Sequence, residues 1–314
     1  MPLILGIDTS NYTTSVALLD TETKQILRQE KQLLPVATGA AGLRQSDAVF
    51  HHTRQLSPLL QRLSISSSPE DLCAIGVSDR PRPVEGSYMP CFLVGKGTAE
   101  SIAAVTGIPV YATSHQMGHI LAALYSADQL DLVHTPFVAF HVSGGTTDLI
   151  YCRPDENTVL ELVPCGSSLD LKAGQAIDRV GLQLGLTFPC GPALEQLAAQ
   201  SESKAYMKPT LRGMDCCLSG LENACQRRLQ DGMSQEDVAA YCLNSVGQTL
   251  AAMTRAARQV YGDLPVLYAG GVMSNHLIRP ILEEAAPNCL WAEPEYASDN
   301  AAGVAIYALL QQAT

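Results

Sequence analysis

The sequence has no C-x-x-C pair, no run of eighteen consecutive apolar residues and too few bases to balance its acids. Each absence removes a class of protein. The ten cysteines are scattered along 314 residues, with only Cys216 and Cys217 adjacent. That spacing excludes a zinc ribbon and fits buried thiols in a reducing cytoplasm better than a disulfide frame. Without a long apolar run there is no membrane span to place. Leu3 to Ile7 has no basic flank and is too short for a signal core, so it reads as a first strand and the expected compartment is the cytoplasm. Net charge is −11. A protein that grips nucleic acid unaided carries a basic face. Here the bases form local patches only: Arg80 with Arg82, Arg227 with Arg228, and Lys204, Lys208 and Arg212. If RNA is a substrate, a protein partner in a hetero- or homodimer would supply the missing positive field. No low-complexity stretch interrupts the chain. With 46% hydrophobic and 16% charged residues, its length suffices for two buried cores.

What is present is a pattern that occurs twice. Residues 3–34 read as strand, turn, strand, turn, strand, and residues 137–164 repeat the arrangement. The first turn of each copy, Thr9 to Ser15 and Gly144 to Asp148, consists almost entirely of small or hydroxyl-bearing residues. Such turns expose backbone N–H groups to a phosphate with no bulk in the way. A single copy is an ordinary hairpin; two copies, each followed by helices, point to two related lobes gripping a nucleotide. Strands followed by helices, twice over, give an α/β class with mixed sheets flanked by helices. The expected division is 1–135 and 136–297, with the last helix, about 298–314, packing back on the first lobe.

Finer readings follow the same grammar. Helices are expected over 43–63, 92–105, 114–125, 169–184, 219–230, 234–261 and 275–286, with Ser114, Ser234 and Ser298 as caps. Residues 79–90 and 201–217 read as irregular.

The sharpest chemical signal is Ser114-His115-Gln116-Met117-Gly118-His119. Histidines four apart on a helix lie on one face, about 6 Å apart, and both can reach one metal ion. No Glu stands between them, so this is not the metalloprotease pattern. A metal would need a third, anionic ligand, and Asp299 is the candidate. Asp299 also reads as a first-turn acid that complements a helix dipole without any metal. A second signal is Tyr268-Ala269-Gly270-Gly271-Val272-Met273-Ser274-Asn275, a buried strand running into a Gly-Gly turn where backbone can approach a ring or ribose and Asn275 can hydrogen-bond it.

In this order the motifs resemble the actin-like ATPase superfamily, a duplicated RNase H-like fold. Within it they resemble the tRNA threonylcarbamoyladenosine transferases, once labelled O-sialoglycoprotein endopeptidases. The residues that carry the likeness run along nearly the whole chain: Gly6-Ile7-Asp8-Thr9-Ser10, the His115–His119 block, Val142-Ser143-Gly144-Gly145, Gly174 with Asp178, Gly191-Pro192, Ser219-Gly220-Leu221, Gly270-Gly271 with Asn275, and Ser298-Asp299-Asn300. The resemblance implies a divalent metal on His115, His119 and Asp299, with iron usual and zinc or magnesium as alternatives. It implies ATP, AMP or threonylcarbamoyl-adenylate as ligand. Ser143, Gly144, Gly145 and Thr146 would form the phosphate turn, Asp178 would hold the ribose hydroxyls, and Gly191, Gly270, Gly271 and Asn275 would complete the nucleoside contacts, with Asp8 also on the substrate side. No catalytic side chain is implied beyond the metal ligands.

The sequence departs from the family pattern where Gly-Gly-His-Thr becomes Gly144-Gly145-Thr146-Thr147. It departs again where Ser-Gly-Leu-Lys becomes Ser219-Gly220-Leu221-Glu222, and where Asp8, Asn11 and Tyr12 replace Glu and Cys-Asp. Gaining a glutamate for a lysine weakens attraction for a polyanion. Three readings therefore stand: an acyltransferase acting on tRNA, a nucleotide-binding scaffold of the same fold, and a carbamoyl-type transferase or kinase with a different acceptor.

Overall fold

The computed structural model describes residues 1–10, 12–35, 43–63, 71–297 and 299–312. The repeat seen in the sequence becomes a repeat of sheets. In the first unit, β1 (Leu3–Ser10), β2 (Thr13–Asp20) and β3 (Ile26–Leu33) run antiparallel. They are followed by α1 (Gln45–Leu63), β4 (Leu72–Arg80), α2 (Phe92–Thr106), β5 (Val110–Ser114) and α3 (His115–Ser126). The strand order is β3-β2-β1-β4-β5, with β4 parallel to β1 and β5 parallel to β4.

The second unit holds β6 (Phe137–Val142), the larger part of β7 (Thr147–Asp155) and of β8 (Val159–Ser167), α4 (Ala173–Gln183), α5 (Gly191–Ala198), the small hairpin β9 (Thr210–Arg212) and β10 (Asp215–Cys217), α6 (Ser219–Gln230), α7 (Gln235–Tyr261), β11 (Val266–Ala269), α8 (Arg279–Ala285) and β12 (Cys289–Trp291). Its order, β12-β11-β6-β7-β8, is the first sheet's order with β6 in the place of β1 and β11 in the place of β4. The chain ends in α9 (Ala302–Gln312). One compact unit comprises Met1–Val133, Pro154–Glu161 and Ser298–Thr314; the other comprises His134–Arg153 and Leu162–Ala297.

Parallel strands need crossovers, and crossovers put helices on both sheet faces. Accordingly β1 and β2 are buried along their whole length. Side chains alternate along a strand. Leu3, Leu5 and Ile7 pack with Leu56, Leu59 and Ala99 on the α1 and α2 side. Gly6, Asp8 and Ser10 therefore turn to the opposite face. There α9 lies so close that a methyl group on Gly6 would run into the Ala301 carbonyl and one on Gly76 into the Val304 carbonyl. In the second unit the core gathers Phe140, Tyr268 and Leu282 around the long α7, which runs 27 residues.

The Ser114 and Ser234 caps are formed, each hydroxyl accepting an N–H three residues on, from Met117 and Asp237. Several boundaries differ from the sequence reading, for local reasons. Helix α4 begins at Ala173 rather than 169, because the Asp170 carboxylate accepts N–H groups of Leu171, Leu218 and Ser219 and ties that segment to the start of α6. Residues 201–217 contain the β9–β10 hairpin, whose three-residue strands are too short to show a period. Helix α8 begins at Arg279, because Asn275 Oδ1 accepts from Leu277 and Ile278 and makes a separate turn. Strand β4 runs on to Arg80, two residues into the stretch read as a loop. Ser298 and Asn11 lie outside the described residues; α9 starts at Ala302, whose N–H goes to Asn300 Oδ1. All ten cysteines are unpaired, and burial pushes the thiols of Cys91 and Cys216 up to about 11. No helix among the described residues is long and apolar enough to cross a membrane.

His52, on α1, is fully buried. Thr14 Oγ1 gives its proton to Gln55 Oε1, so His52 Nδ1 must donate to that hydroxyl, and Nε2 is left with no partner. Burial drives its pKa down to about 4; His51 adds to the fall, and Asp8 opposes it only partly. The unfolded chain takes up a proton here below about pH 6.5, and the folded chain does not. Stability from this group is therefore complete above about pH 6.5 and falls as pH drops towards 4, by about 3 kcal/mol in all. Urea unfolding of wild type and His52→Phe across that window should show a slope in the difference, with wild type losing more.

Candidate functional site

The first unit carries a centre built from both ends of the chain. Strand β5 delivers His115 as the first residue of α3, and one helical turn later His119 follows on the same face. Their Nε2 atoms stand 2.9 Å apart. Asp299, in the turn before α9, brings Oδ1 to 3.5 Å from His115 Nε2 and 3.2 Å from His119 Nε2. The three donor atoms lie within 4.8 Å of one another. Two ring nitrogens and a carboxylate oxygen facing one point is the arrangement that binds a divalent transition ion. Magnesium is a poorer match, since it favours oxygen donors.

These side chains have partners behind them. His115 Nδ1 donates to Asp8 Oδ2 at 2.7 Å. Asp8 Oδ1 accepts from Ser78 Oγ at 2.7 Å and Ser10 N at 2.9 Å. Asp299 Oδ2 accepts from Thr13 Oγ1 at 3.1 Å. Burial alone would lower the pKa of His115, but Asp8 and Asp299 outweigh it and raise it to about 10. Burial alone would raise Asp299; hydrogen bonds from His115 and His119, with their charge, hold it well below the usual carboxylate range.

The second unit carries a cavity of about 340 Å³. Ser143 and Gly144 line it from the turn after β6, Gly174 and Asp178 from α4, Gly191 and Glu195 from α5, and Gly271, Ser274 and Asn275 from the segment after β11. Four of the lining residues, Gly144, Gly174, Gly191 and Gly271, are glycines. A methyl group on Gly174 would come within 2.6 Å of the Ser143 carbonyl oxygen, so α4 can start against that turn only with glycine there. Asp178 accepts from Cys190 N at 2.8 Å, and burial raises its pKa despite that bond.

Of the residues expected from the sequence, His115, His119 and Asp299 meet in the first unit, and Ser143, Gly144, Asp178, Gly191, Gly271 and Asn275 meet in the cavity of the second. Gly145 and Thr146 belong to the same turn but are not among the residues that line the cavity. Gly270 holds φ +101° and packs against the Val142 backbone, a reason for glycine that needs no ligand. Asp8 is 1% exposed and both its oxygens are engaged, so it stands behind His115 in the first unit and lines no part of the cavity. Sequence reasoning passed over Glu195, which faces the cavity and accepts from His276 N at 2.7 Å. Its position four residues after Gly191 on α5 is the signal that would have found it.

Two mixed sheets of one strand order, each flanked by helices, define the actin-like fold class. Solved structures agree on the fold. The chain matches full-length HypF in a phosphate- and nucleotide-bound form with TM-score 0.59 at 12% identity, covering 99% of this chain and 46% of that one. It matches the activator of 2-hydroxyisocaproyl-CoA dehydratase from Clostridium difficile with TM-score 0.56 at 14% identity, covering 98% and 95%. Within that class the sequence, over residues 36–306, matches the TsaD family, tRNA N6-adenosine threonylcarbamoyltransferase, and the chain belongs to that family. Relatives so named include a protein from Methanopyrus kandleri, 28% identical over 96% of this chain and 86% of its own length. A probable bifunctional tRNA threonylcarbamoyladenosine biosynthesis protein from Thermoplasma acidophilum is 28% identical over 98% of this chain, which spans 56% of that longer protein. The protein is thus placed among transferases.

Asp299 reaches the histidines because α9 lies against α3 at Gly303, where a methyl group would strike the Gly118 carbonyl. Gly303→Ala should therefore lower unfolding free energy in urea by about 1–3 kcal/mol. Gly97→Ala, at an exposed α2 position with open space around it, should leave stability unchanged or raise it slightly.

Proposed function

We propose that this protein moves a threonylcarbamoyl group from its adenylate to the exocyclic amine of a tRNA adenosine. The observation that carries the reading is the convergence of His115, His119 and Asp299 on one point, from segments some 180 residues apart. A scaffold has no use for it, and a kinase does not need it. In this reading His115, His119 and Asp299 hold one divalent ion, iron or zinc by the chemistry of the donors. When bound, that ion supplies Lewis acidity to carbonyl or phosphate oxygens.

The cavity of the second unit is the adenylate site. Ser143 and the backbone of Gly144 suit the phosphate. Asp178, with one oxygen already taken by Cys190 N, offers the other to ribose hydroxyls. Gly191 and Gly271 leave room for the rings, and Asn275 completes the rim. In the reaction the acceptor nitrogen forms a bond to the carbamoyl carbon. The carbon–oxygen bond to phosphate breaks, AMP leaves with the electron pair, and the nitrogen loses a proton. No covalent protein intermediate is required.

A second reading keeps this chemistry and changes the acceptor. Glu222, where the family pattern has lysine, pairs with Arg179 at 3.0 Å and so draws a surface cation away from any polyanion. With a net charge of −11, binding of tRNA would rely on a protein partner.

Metal analysis of purified protein should find about one equivalent of a divalent ion, reduced more than about tenfold in His115→Ala and in Asp299→Ala. Titration calorimetry should show Asp178→Ala binding AMP about tenfold or more weakly with metal content unchanged, since the two groups of residues lie in different units. Incubation with threonylcarbamoyl-adenylate and tRNA should release AMP and modify the tRNA. Release of AMP without modification favours the other acceptor, and ADP formed from ATP favours a kinase. Restoring the tRNA modification in cells lacking the standard enzyme tests the whole reading.

A further inference from the structure

The metal reading leaves unassigned the two residues that touch its ligands from behind. We propose that Asp8 and Thr13 are positioning residues of the metal centre, fixing which atom of His115 and which oxygen of Asp299 face the ion. The inference rests on the reading of His115, His119 and Asp299 as metal ligands.

Asp8 is almost fully buried and is not among the residues that line the cavity of the second unit. Its Oδ1 takes two donors, the Ser78 hydroxyl and the Ser10 N–H, so its rotamer is held from β4 and from its own strand. Only Oδ2 is left, and it receives His115 Nδ1 at 2.7 Å. A carboxylate oxygen accepts from a ring N–H, so the contact keeps hydrogen on Nδ1 and leaves Nε2 as the nitrogen that gives up its proton and turns its lone pair to an ion at the shared point. A carboxylate behind a metal-bound imidazole also raises its basicity, and removing such a partner costs about 10–100-fold in metal affinity.

Thr13 does the corresponding work on the anion. Strands β1 and β2 pair antiparallel with Thr13 opposite Ser10, which places Thr13 on the sheet face that carries Asp8. Its hydroxyl donates to Asp299 Oδ2, and Oδ1 is the oxygen within 3.5 Å of both histidine Nε2 atoms. The carboxylate is thereby divided, one oxygen for the protein and one for the ion. Both supports come from the first hairpin, so the strand pair that opens the chain orients ligands contributed by α3 and by the turn before α9.

The test uses the full chain loaded with zinc. Competition with a chromophoric chelator gives the zinc affinity of wild type, Asp8→Asn, Ser78→Ala, Thr13→Val and His119→Ala. Long-range 15N–1H spectra of the zinc-bound proteins report which nitrogen of His115 carries hydrogen. Asp8→Asn should bind zinc about 10–100-fold more weakly and lose the uniform Nδ1–H signature, while Thr13→Val and Ser78→Ala should each weaken binding about threefold or more. Melting of the zinc-free proteins shows whether a variant is folded. If Asp8→Asn fails to fold, the Ser78→Ala and Thr13→Val affinities decide the matter alone. Wild-type affinity and an unchanged Nδ1–H signal in the folded variants would overturn the proposal while leaving the metal ligands in place. Wild type that binds zinc no better than His119→Ala would overturn the metal reading, and the proposal with it.

Discussion

The close approach of α9 to the first sheet and to α3 is the constraint on which the metal-type centre depends. Backbone meets backbone there because Gly6 and Gly76 on the sheet and Gly303 on α9 have no side chains. Any Cβ at these positions would push α9 outward and carry the preceding turn, with Asp299, away from His115 and His119. The last segment of the chain thus belongs to the same compact unit as the first 133 residues, and the centre is closed by packing rather than by proximity in sequence. Close-packed interiors transmit such displacements instead of absorbing them.

That packing also makes the electrostatics possible. Asp8 is a carboxylate shut away from water, a costly state unless its lone pairs are taken up. Here a hydroxyl, an N–H and an imidazole N–H take them. The cost of burying it is offset by fixing a histidine. The second unit solves a different problem with the same strand order. Where the end of β1 offers Asp8, the end of β6 offers the bare backbone of Ser143 and Gly144, and where β4 ends at Arg80, β11 runs into Gly270 and Gly271. One sheet end presents charge and the other presents space. A duplicated fold has kept its topology while its two copies diverged in chemistry, which accords with the general rule that sites are grafted onto folds.

Much of this was legible beforehand. The repeat of strand triplets, the helical spacing of His115 and His119, the Ser114 cap and the paired glycines all depend on neighbours in sequence, and local periodicity reports them directly. Several things were not legible. The β9–β10 hairpin is too short to have a period. The true start of α4 is set by Asp170, whose partners Leu218 and Ser219 lie far outside any local window, and that of α8 by a side-chain turn at Asn275 that leaves no mark on the helical period. Glu195 looked like any polar residue on a helix, since only the placement of α5 turns it into a cavity wall.

The amino-acid sequence alone determined the class of fold, the family likeness and the side-chain types at the candidate centre, because hydrophobic alternation, turn residues and motif order are one-dimensional properties. Only the tertiary structure decided that Asp8 stands behind a histidine, and that Thr13 takes one oxygen of Asp299. The reason is geometric. Which face a strand residue turns to is written in its period, but what waits on that face is set by the packing of α3 and α9, elements distant in sequence from β1.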